Sequence, residues 1–271
     1  MITSLLLFAS LAPSPLPDKL LIENGFEITI FQDRSKVSKT ALSHHGRFKN
    51  AHGEEIVISC GWASEKSHVF GHPGGYGSSQ QKSNLANRFA ALPTLRSLPS
   101  NLPPKVGITW QSKLGVTVNA VAPNCGVTVK YATRMKNTPK GFADTQPFDV
   151  KAKADFVERV ARHTLANAAG MRLSDNGTAA LAGRSIKKAV CRRSDHVFGN
   201  LQEWTGGEGW SVAEDDYGVL SLKKGAKWAV IPLGADQIKV NGVWKEMGDS
   251  AAFFNGKLYL PAAGLEHLRG A

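Results

Sequence analysis

The stretch WAVIPLGADQIKVNGVWKEM, residues 228–247, decides the fold of the C-terminal part of this chain. Apolar and polar residues alternate on both sides of Asn241 and Gly242, a dipeptide typical of a two-residue hairpin turn, so the stretch predicts paired antiparallel strands. A second Asn-Gly pair follows in FFNGKLYLP, residues 253–261, which runs directly into the apolar helix pattern AAGLEHL. Pro261 suits the first turn of such a helix. The pattern therefore predicts a hairpin that leads into a short helix.

A similar order of strands, turns and a short helix precedes this hairpin and helix. Residues 197–207, VFGNLQEWTGG, have the pattern of a strand end followed by a short helix, and Leu201 and Trp204 would bury one face of that helix. Gly206 is expected to end the helix and to take a positive φ. Strand, turn and strand patterns follow in WSV, AEDDYG and VLSLKKG. This recurrence of the same order of elements indicates an internal repeat.

The order of these turns resembles the copper amine oxidase N-terminal-like domain. The resemblance rests on the segments IPLG, IKVNG and NGKLYLPAAGLEHL, because in that family a "vNG" turn and a strand leading into a helix recur in tandem. It covers residues 196–271, and a degraded earlier copy beginning with the helix of residues 156–170 would extend it. The resemblance implies a scaffold without catalytic motifs.

The family name does not imply copper in this chain. The oxidase chemistry of copper amine oxidases belongs to a separate catalytic domain, with a His-x-His copper pair and a cofactor-forming tyrosine in an Asn-Tyr-Asp/Glu context. Neither pattern occurs in this sequence. We therefore expect no cofactor and no oxidase activity.

The remaining patterns predict an α+β protein with a mainly β N-terminal domain. Residues 155–169 have apolar residues at helical spacing before Gly170. Alternating patterns predict strands at residues 55–60, 106–111, 115–121 and 126–132, and a hairpin at residues 19–31. The predicted organisation is a signal peptide and proline-rich linker (1–17), a mainly β domain of no recognised family (18–150), and a domain of repeated strand and short-helix units (151–271).

The N-terminus predicts export. Residues 1–12, MITSLLLFASLA, form a run of apolar and small residues that ends in a small-x-small pattern before the proline-rich PSPLP. This is typical of a short signal peptide and predicts a secreted or cell-envelope protein; a frayed apolar N-terminus is the alternative. The run is shorter than the roughly 20 residues that cross a membrane, and no other stretch comes close, so no membrane span is expected.

The net charge of +11 favours an acidic partner. The local basic cluster KKAVCRR, residues 187–193, has no interleaved aromatic residues, which a groove for single-stranded nucleic acid needs. We therefore expect a cell-wall polysaccharide, peptidoglycan or an envelope protein as the partner, and no nucleic acid. Four tryptophans are candidates for stacking on sugar rings, although most are expected in the core. These are Trp204, Trp210, Trp228 and Trp244.

Five histidines in the N-terminal half are candidate metal ligands: His44, His45, His52, His68 and His72. Neutral imidazoles bind zinc or copper well, and His68 and His72 have the i, i+4 spacing that suits a site on a helix. The surrounding sequence, HVFGHPGGYG, predicts a loop instead. We therefore expect surface and turn histidines, and assign no metal site.

The three cysteines, Cys60, Cys125 and Cys191, are widely spaced and form no CxxC motif, which excludes a zinc ribbon. Export would permit one disulfide between Cys60 and Cys125. Three buried thiols are an equal alternative.

One enzymatic alternative rests on three segments: residues 40–56, TALSHHGRFKNAHGEEI; residues 127–137, VTVKYATRMKN; and residues 147–161, PFDVKAKADFVERVA. These segments resemble the double-psi barrel of rare-lipoprotein-A-like lytic transglycosylases, where a "T-A-x-G-E" segment precedes an Asp-bearing "NDRGP". Residues 133–136, TRMK, stand where the catalytic Asp should be, and the spacing is longer than in that family. We therefore expect a binding or structural module, not an enzyme.

Overall fold

In a computed structural model, the described residues form an α+β fold that is mostly strand, which confirms the predicted class. None of the described helices has the length and apolar character needed to cross a membrane. Residues 1–12 of the predicted signal peptide lie outside the described part, so that prediction stays untested. The structure describes residues 14–33, 41–63, 108–112, 115–122, 125–132, 135–138, 141–144, 150–171, 173–175, 179–181, 184–186, 190–191, 196–216 and 218–270.

A six-stranded antiparallel sheet with the order β1-β2-β3-β6-β5-β4 forms the N-terminal part. Its strands are β1 (Phe26–Asp33), β2 (Ala41–Asn50), β3 (Glu55–Ala63), β4 (Ile108–Ser112), β5 (Gly115–Ala122) and β6 (Cys125–Ala132). The four strands predicted here are confirmed as β3 to β6. The sequence did not predict β2, because among residues 44–50 the buried side chains include the polar His44 as well as Phe48, which blurs the apolar alternation. A separate hairpin joins β7 (Met135–Thr138) and β8 (Gly141–Asp144).

The hairpin predicted at residues 19–31 is wrong, because its first half is the helix α1 (Asp18–Glu23). Leu20 and Leu21 are both buried. Neighbouring residues of a strand point to opposite faces, whereas on a short helix they share the side that meets the core. The Asn-Gly pair therefore follows a helix end, and Gly25 takes the positive φ of +79° there.

The long helix α2 (Val150–Gly170) lies between two hydrophobic cores. The helix predicted at residues 155–169 is confirmed. Val160 and Leu165 are fully buried in the core of the six-stranded sheet, whereas Ala166 belongs to the core of the C-terminal part. The domain boundary predicted before residue 151 stays a prediction, since α2 contributes to the cores on both sides of it.

Two five-stranded antiparallel sheets form the C-terminal part. One is a meander of β14 to β18 in chain order, and the other has the order β19-β20-β13-β12-β9, while β10 and β11 form a hairpin. The elements are β9 (Ser174–Asp175), β10 (Ala179–Leu181), β11 (Arg184–Ile186), β12 (Val190–Cys191), β13 (Val197–Asn200), α3 (Leu201–Glu208), β14 (Ser211–Glu214), β15 (Val219–Lys224), β16 (Lys227–Pro232), β17 (Gln237–Val240), β18 (Val243–Glu246), β19 (Ala252–Phe254), β20 (Lys257–Pro261) and α4 (Ala262–Arg269).

Two strands that run directly into short helices pair with each other. β13 leads into α3 and β20 leads into α4, and the register places Phe198 opposite Pro261 and Asn200 opposite Tyr259. The side chain of Asn200 caps α3 by accepting a hydrogen bond of 3.1 Å from the backbone N–H of Glu203. The strand-to-helix step predicted from the sequence therefore occurs at both places.

Positive φ values mark the turns of this part. Asn241 and Gly242 have φ values of 47° and 93°, as a type I′ hairpin turn requires, so the turn predicted there is confirmed. The predicted helix stop at Gly206 is wrong, because Gly206 lies within α3. Gly209 ends that helix in the left-handed conformation, and its N–H bonds to the carbonyl of Thr205.

Candidate functional site

The meander has two chemically different faces. Leu222, Ile231 and Ile238 are fully buried on its inner face. Side chains alternate along each strand, so the intervening residues point to the opposite side, which we term the outer face. The outer face consists of Ser211, Ala213, Val219, Ser221, Lys223, Trp228, Val230, Pro232, Gln237, Lys239, Trp244 and Glu246, of which Val219, Val230 and Pro232 are buried.

Two of the candidate tryptophans lie on the outer face. Trp228 is opposite Lys223 in the register of β15 and β16, and Trp244 is opposite Lys239 in the register of β17 and β18. The side chain of Trp228 is exposed and that of Trp244 is half-buried. Strand spacing and rise place their Cα atoms on the order of 12 Å apart. A ligand that touches both rings must therefore be extended.

Each of these tryptophans has a lysine beside it. The Nζ atom of Lys239 lies 5.6 Å from the ring centroid of Trp244, within the range of a cation–π interaction. Lys223 is exposed beside Trp228. The outer face carries one carboxylate, Glu246, which accepts a hydrogen bond from Gln237. Aromatic ring surface and positive charge therefore lie side by side on this face.

The other two candidate tryptophans lie in the core. Trp204 is 2% exposed and Trp210 is 7% exposed, and their ring centroids are 6.4 Å apart. Both belong to the core that the inner face of the meander shares with α3 and α4. These two rings are therefore inaccessible to a surface ligand.

The candidate histidines do not form one cluster in the part of the chain that the structure describes. His44 and His45 are neighbours on β2, so they point to opposite faces of the sheet. His44 is buried near the ring of Phe31, and Nδ1 of His45 lies 3.1 Å from Oγ of Ser59. His52 is exposed in the turn after β2. His68 and His72 lie outside the described residues, among which no group of three His, Cys, Asp or Glu side chains has a metal-binding arrangement.

The register of β3 and β6 bears on the predicted disulfide. It aligns Cys60 with Val127 and Trp62 with Cys125, so the two cysteines are diagonal neighbours. Diagonal Cα atoms lie about 7–8 Å apart. This is longer than the usual Cα separation of a disulfide, about 4.4–6.8 Å. The register therefore does not favour the predicted bridge.

The segments that resemble a lytic transglycosylase share one sheet in part, because residues 127–132 of the second segment lie in β6, which pairs with β3. The residues from 41 to 56 span β2, its turn and the start of β3, in the six-stranded sheet. Residues 133 and 134 lie outside the described part, and Met135 begins β7 of a separate hairpin. The resemblance stays a prediction.

Lys223 and Lys239 carry no sequence motif that predicts a role for them. Within each strand, alternation alone shows which residues share a side, and the hairpin register then shows which lysine faces which tryptophan. The signal was therefore present in the segments KKGAKWAV and IKVNGVW, but only the pairing of strands combines them into one surface.

Comparison of the chain with protein families, curated proteins and solved structures finds no match. The resemblance to the copper amine oxidase N-terminal-like domain therefore stays a prediction.

Proposed function

We propose that this protein is a non-catalytic binding module, secreted or attached to the cell envelope, and that its outer face holds an anionic cell-wall polysaccharide. The observation that carries the proposal is the pairing of Trp228 with Lys223 and of Trp244 with Lys239 on the outer face of the meander, where both rings are at least partly exposed. The apolar face of a sugar ring suits an indole ring. Lysine ammonium groups suit carboxylate or phosphate groups along the same polymer.

Charge and geometry both favour a polymer over a small sugar. The net charge of +11 attracts a polyanion, and salt weakens attraction between exposed charges. The separation of Trp228 and Trp244 requires several linked units to reach both rings. We therefore expect binding that depends on polymer length and falls as salt is added.

The arrangement of acids on the outer face supports binding without bond cleavage. Glycoside hydrolysis commonly uses a pair of carboxyl groups on either side of the scissile bond. Glu246 is the one carboxylate of the outer face as defined above, and it bonds to Gln237. The proposed role of the surface is therefore to hold the polymer.

The test is co-sedimentation with insoluble peptidoglycan that carries its anionic polymer, and with the same material after that polymer is removed. We expect retention at about 0.02 M salt, and loss of most of it at about 0.5 M salt. The double variant Trp228→Ala/Trp244→Ala should lose retention. The matched variant Ile28→Ala/Ile30→Ala, which truncates exposed residues of β1, should keep it.

A lysine pair separates charge from ring stacking. Lys223→Gln/Lys239→Gln should weaken retention at low salt, whereas the control Lys49→Gln/Lys130→Gln, on β2 and β6, should not. Failure of the wild type to sediment at low salt would contradict the proposal. So would equal retention of the tryptophan double variant, or equally tight binding of single-stranded DNA. Release of soluble muropeptides would favour the transglycosylase alternative.

A further inference from the structure

A cleft of about 760 Å³ lies away from the outer face, in the size range of small-molecule sites. Its walls come from residues 14–23, the second half of α2 and the hairpin of β19 and β20. Glu214 of β14 also lines it. In the register, Glu214 pairs with Leu220 and so belongs to the inner face of the meander. The cleft is therefore a separate place from the proposed polysaccharide surface.

An ion cluster forms the polar wall of this cleft. One carboxylate oxygen of Glu214, Oε1, accepts hydrogen bonds from Nε of Arg159 at 2.8 Å and from Nε2 of His163 at 2.6 Å. Burial alone would raise the pKa of Glu214, but the hydrogen bonds and charges of His163 and Arg159 outweigh it and hold that pKa below its usual value. Glu214 therefore stays ionised and fixes both donors on the helix.

This cluster leaves polar side-chain atoms available to a ligand. Arg159 engages Glu214 through Nε alone, and its terminal nitrogens donate to no residue that the structure describes. His163 is held through Nε2, and its Nδ1 has no hydrogen bond within the same described part. The two side chains are one turn apart on α2 and are 29% and 15% exposed. A guanidinium edge with two open nitrogens matches the two oxygens of a carboxylate.

The rest of the cleft is mixed, with an apolar part beside the ion cluster. The ring of Phe253 lies 5.4 Å from that of His163 in a stacked arrangement with an interplanar angle of 21°. Other apolar side chains complete the walls. They are Leu16, Leu20, Met171, Leu173 and Phe254. A ligand that presents a carboxylate to Arg159 would place an apolar or aromatic body against these residues.

The charges around the cleft disfavour a polyanion. Its lining carries the acids Asp18, Glu23 and Glu214 against the bases Lys19 and Arg159. The lining itself carries no net positive charge, so binding would depend on the direct contact with Arg159. The lining therefore suits a ligand with a single negative charge.

We propose that this cleft binds a small monocarboxylate with an apolar or aromatic body, whose carboxylate accepts hydrogen bonds from the terminal nitrogens of Arg159. The imidazole of His163, which stacks on Phe253, adds ring surface to the same side of the cleft. The proposal is independent of the polysaccharide surface, because the two sites lie on different faces of the meander.

The test is isothermal titration calorimetry of the full chain with 3-phenylpropionate, its methyl ester and citrate. We expect the monocarboxylate to bind at least about tenfold more tightly than the ester, the loss typical of removing a charge-assisted hydrogen bond. Citrate should bind more weakly than 3-phenylpropionate. Equal affinity for the ester, or no heat with 3-phenylpropionate, would overturn the proposal.

Two variants locate the binding in the cleft. Arg159→Lys keeps the charge beside Glu214 but removes the planar fork, and should weaken binding at least about tenfold. Met171→Trp fills the apolar part without touching the ion cluster, and should also abolish binding. Arg47→Lys, on β2, is the matched control and should bind as the wild type does, with circular dichroism checking the fold of each variant. Unchanged binding by either cleft variant would show that the ligand lies elsewhere.

Discussion

The two faces of the meander use tryptophan for opposite purposes. On the inner side, Trp204 and Trp210 are almost completely buried and lie in contact distance of each other. On the outer side, Trp228 and Trp244 lie beside lysines and keep part of their rings accessible. The residue type is the same in both cases. Which side of the sheet a ring occupies decides whether it stabilises the core or is available to a ligand.

Truncating one ring on each face should have very different effects on stability. Trp204→Ala should lower the free energy of unfolding by about 3–5 kcal/mol, because it removes a large buried side chain and leaves a cavity. The indole N–H of Trp204 makes no hydrogen bond to a described residue, so packing alone supplies this contribution. Urea unfolding measures the loss. Trp228→Ala is the control and should change stability little; equal losses would show that the two faces are not different.

A second prediction concerns Glu214, on the inner side, which holds Arg159 and His163. Glu214→Gln should cost about 1–3 kcal/mol at neutral pH, because hydrogen bonds to charged donors are weakened. The folded-state pKa of Glu214 is lowered, so its contribution is present above the unfolded-state pKa and disappears as pH falls through the folded-state pKa.

The pH series provides the control for that prediction. Urea unfolding of the wild type and of Glu214→Gln should be measured at several pH values between about 6 and 3. The free energies of unfolding of the two proteins should converge as the pH falls below about 4.3, the ordinary pKa of glutamate. Parallel stability curves over this range would contradict the role assigned to the ionised carboxylate.

The N-cap of α3 should have a smaller effect. Asn200→Ala removes the side-chain oxygen that accepts from Glu203, and should cost about 1 kcal/mol in urea unfolding. Asn200→Ser keeps an oxygen at the cap and should recover much of this loss. If serine and alanine are equally destabilising, the burial of residue 200 and not its capping bond would explain the effect.

The smallest expected change in stability is on the outer face. The double variant Trp228→Ala/Trp244→Ala should alter the free energy of unfolding by less than about 1 kcal/mol, because partly exposed side chains contribute little packing. The same variant should lose retention on anionic peptidoglycan. A large loss of stability together with lost retention would mean that these rings are structural, and would weaken the comparison of the two faces.

Local patterns predicted most of the elements. The alternation in β3 to β6 and the helical spacing in α2 depend on residues close in sequence, and both were predicted. The Asn-Gly pairs show the limit of such patterns. At Asn241 the pair makes a hairpin turn, whereas after Glu23 it ends a helix, because Leu20 and Leu21 are buried together.

The candidate sites depended on contacts that span the chain. Glu214 bonds to Arg159 and His163 across 55 and 51 residues. No local pattern in the sequence relates these three residues to one another. The same holds for the partnership of Lys223 with Trp228, which needs the register of two paired strands.

The strand alternation, the long helix and the turn at Asn241 and Gly242 follow from the local sequence, because φ preferences and side-chain periods act within a few residues. Tertiary structure decided which tryptophans are buried and which groups meet in the cleft. The physical reason is that burial and hydrogen bonding depend on which distant segments pack together. For this protein, that packing turned one pair of tryptophans into core and left the other pair at the surface.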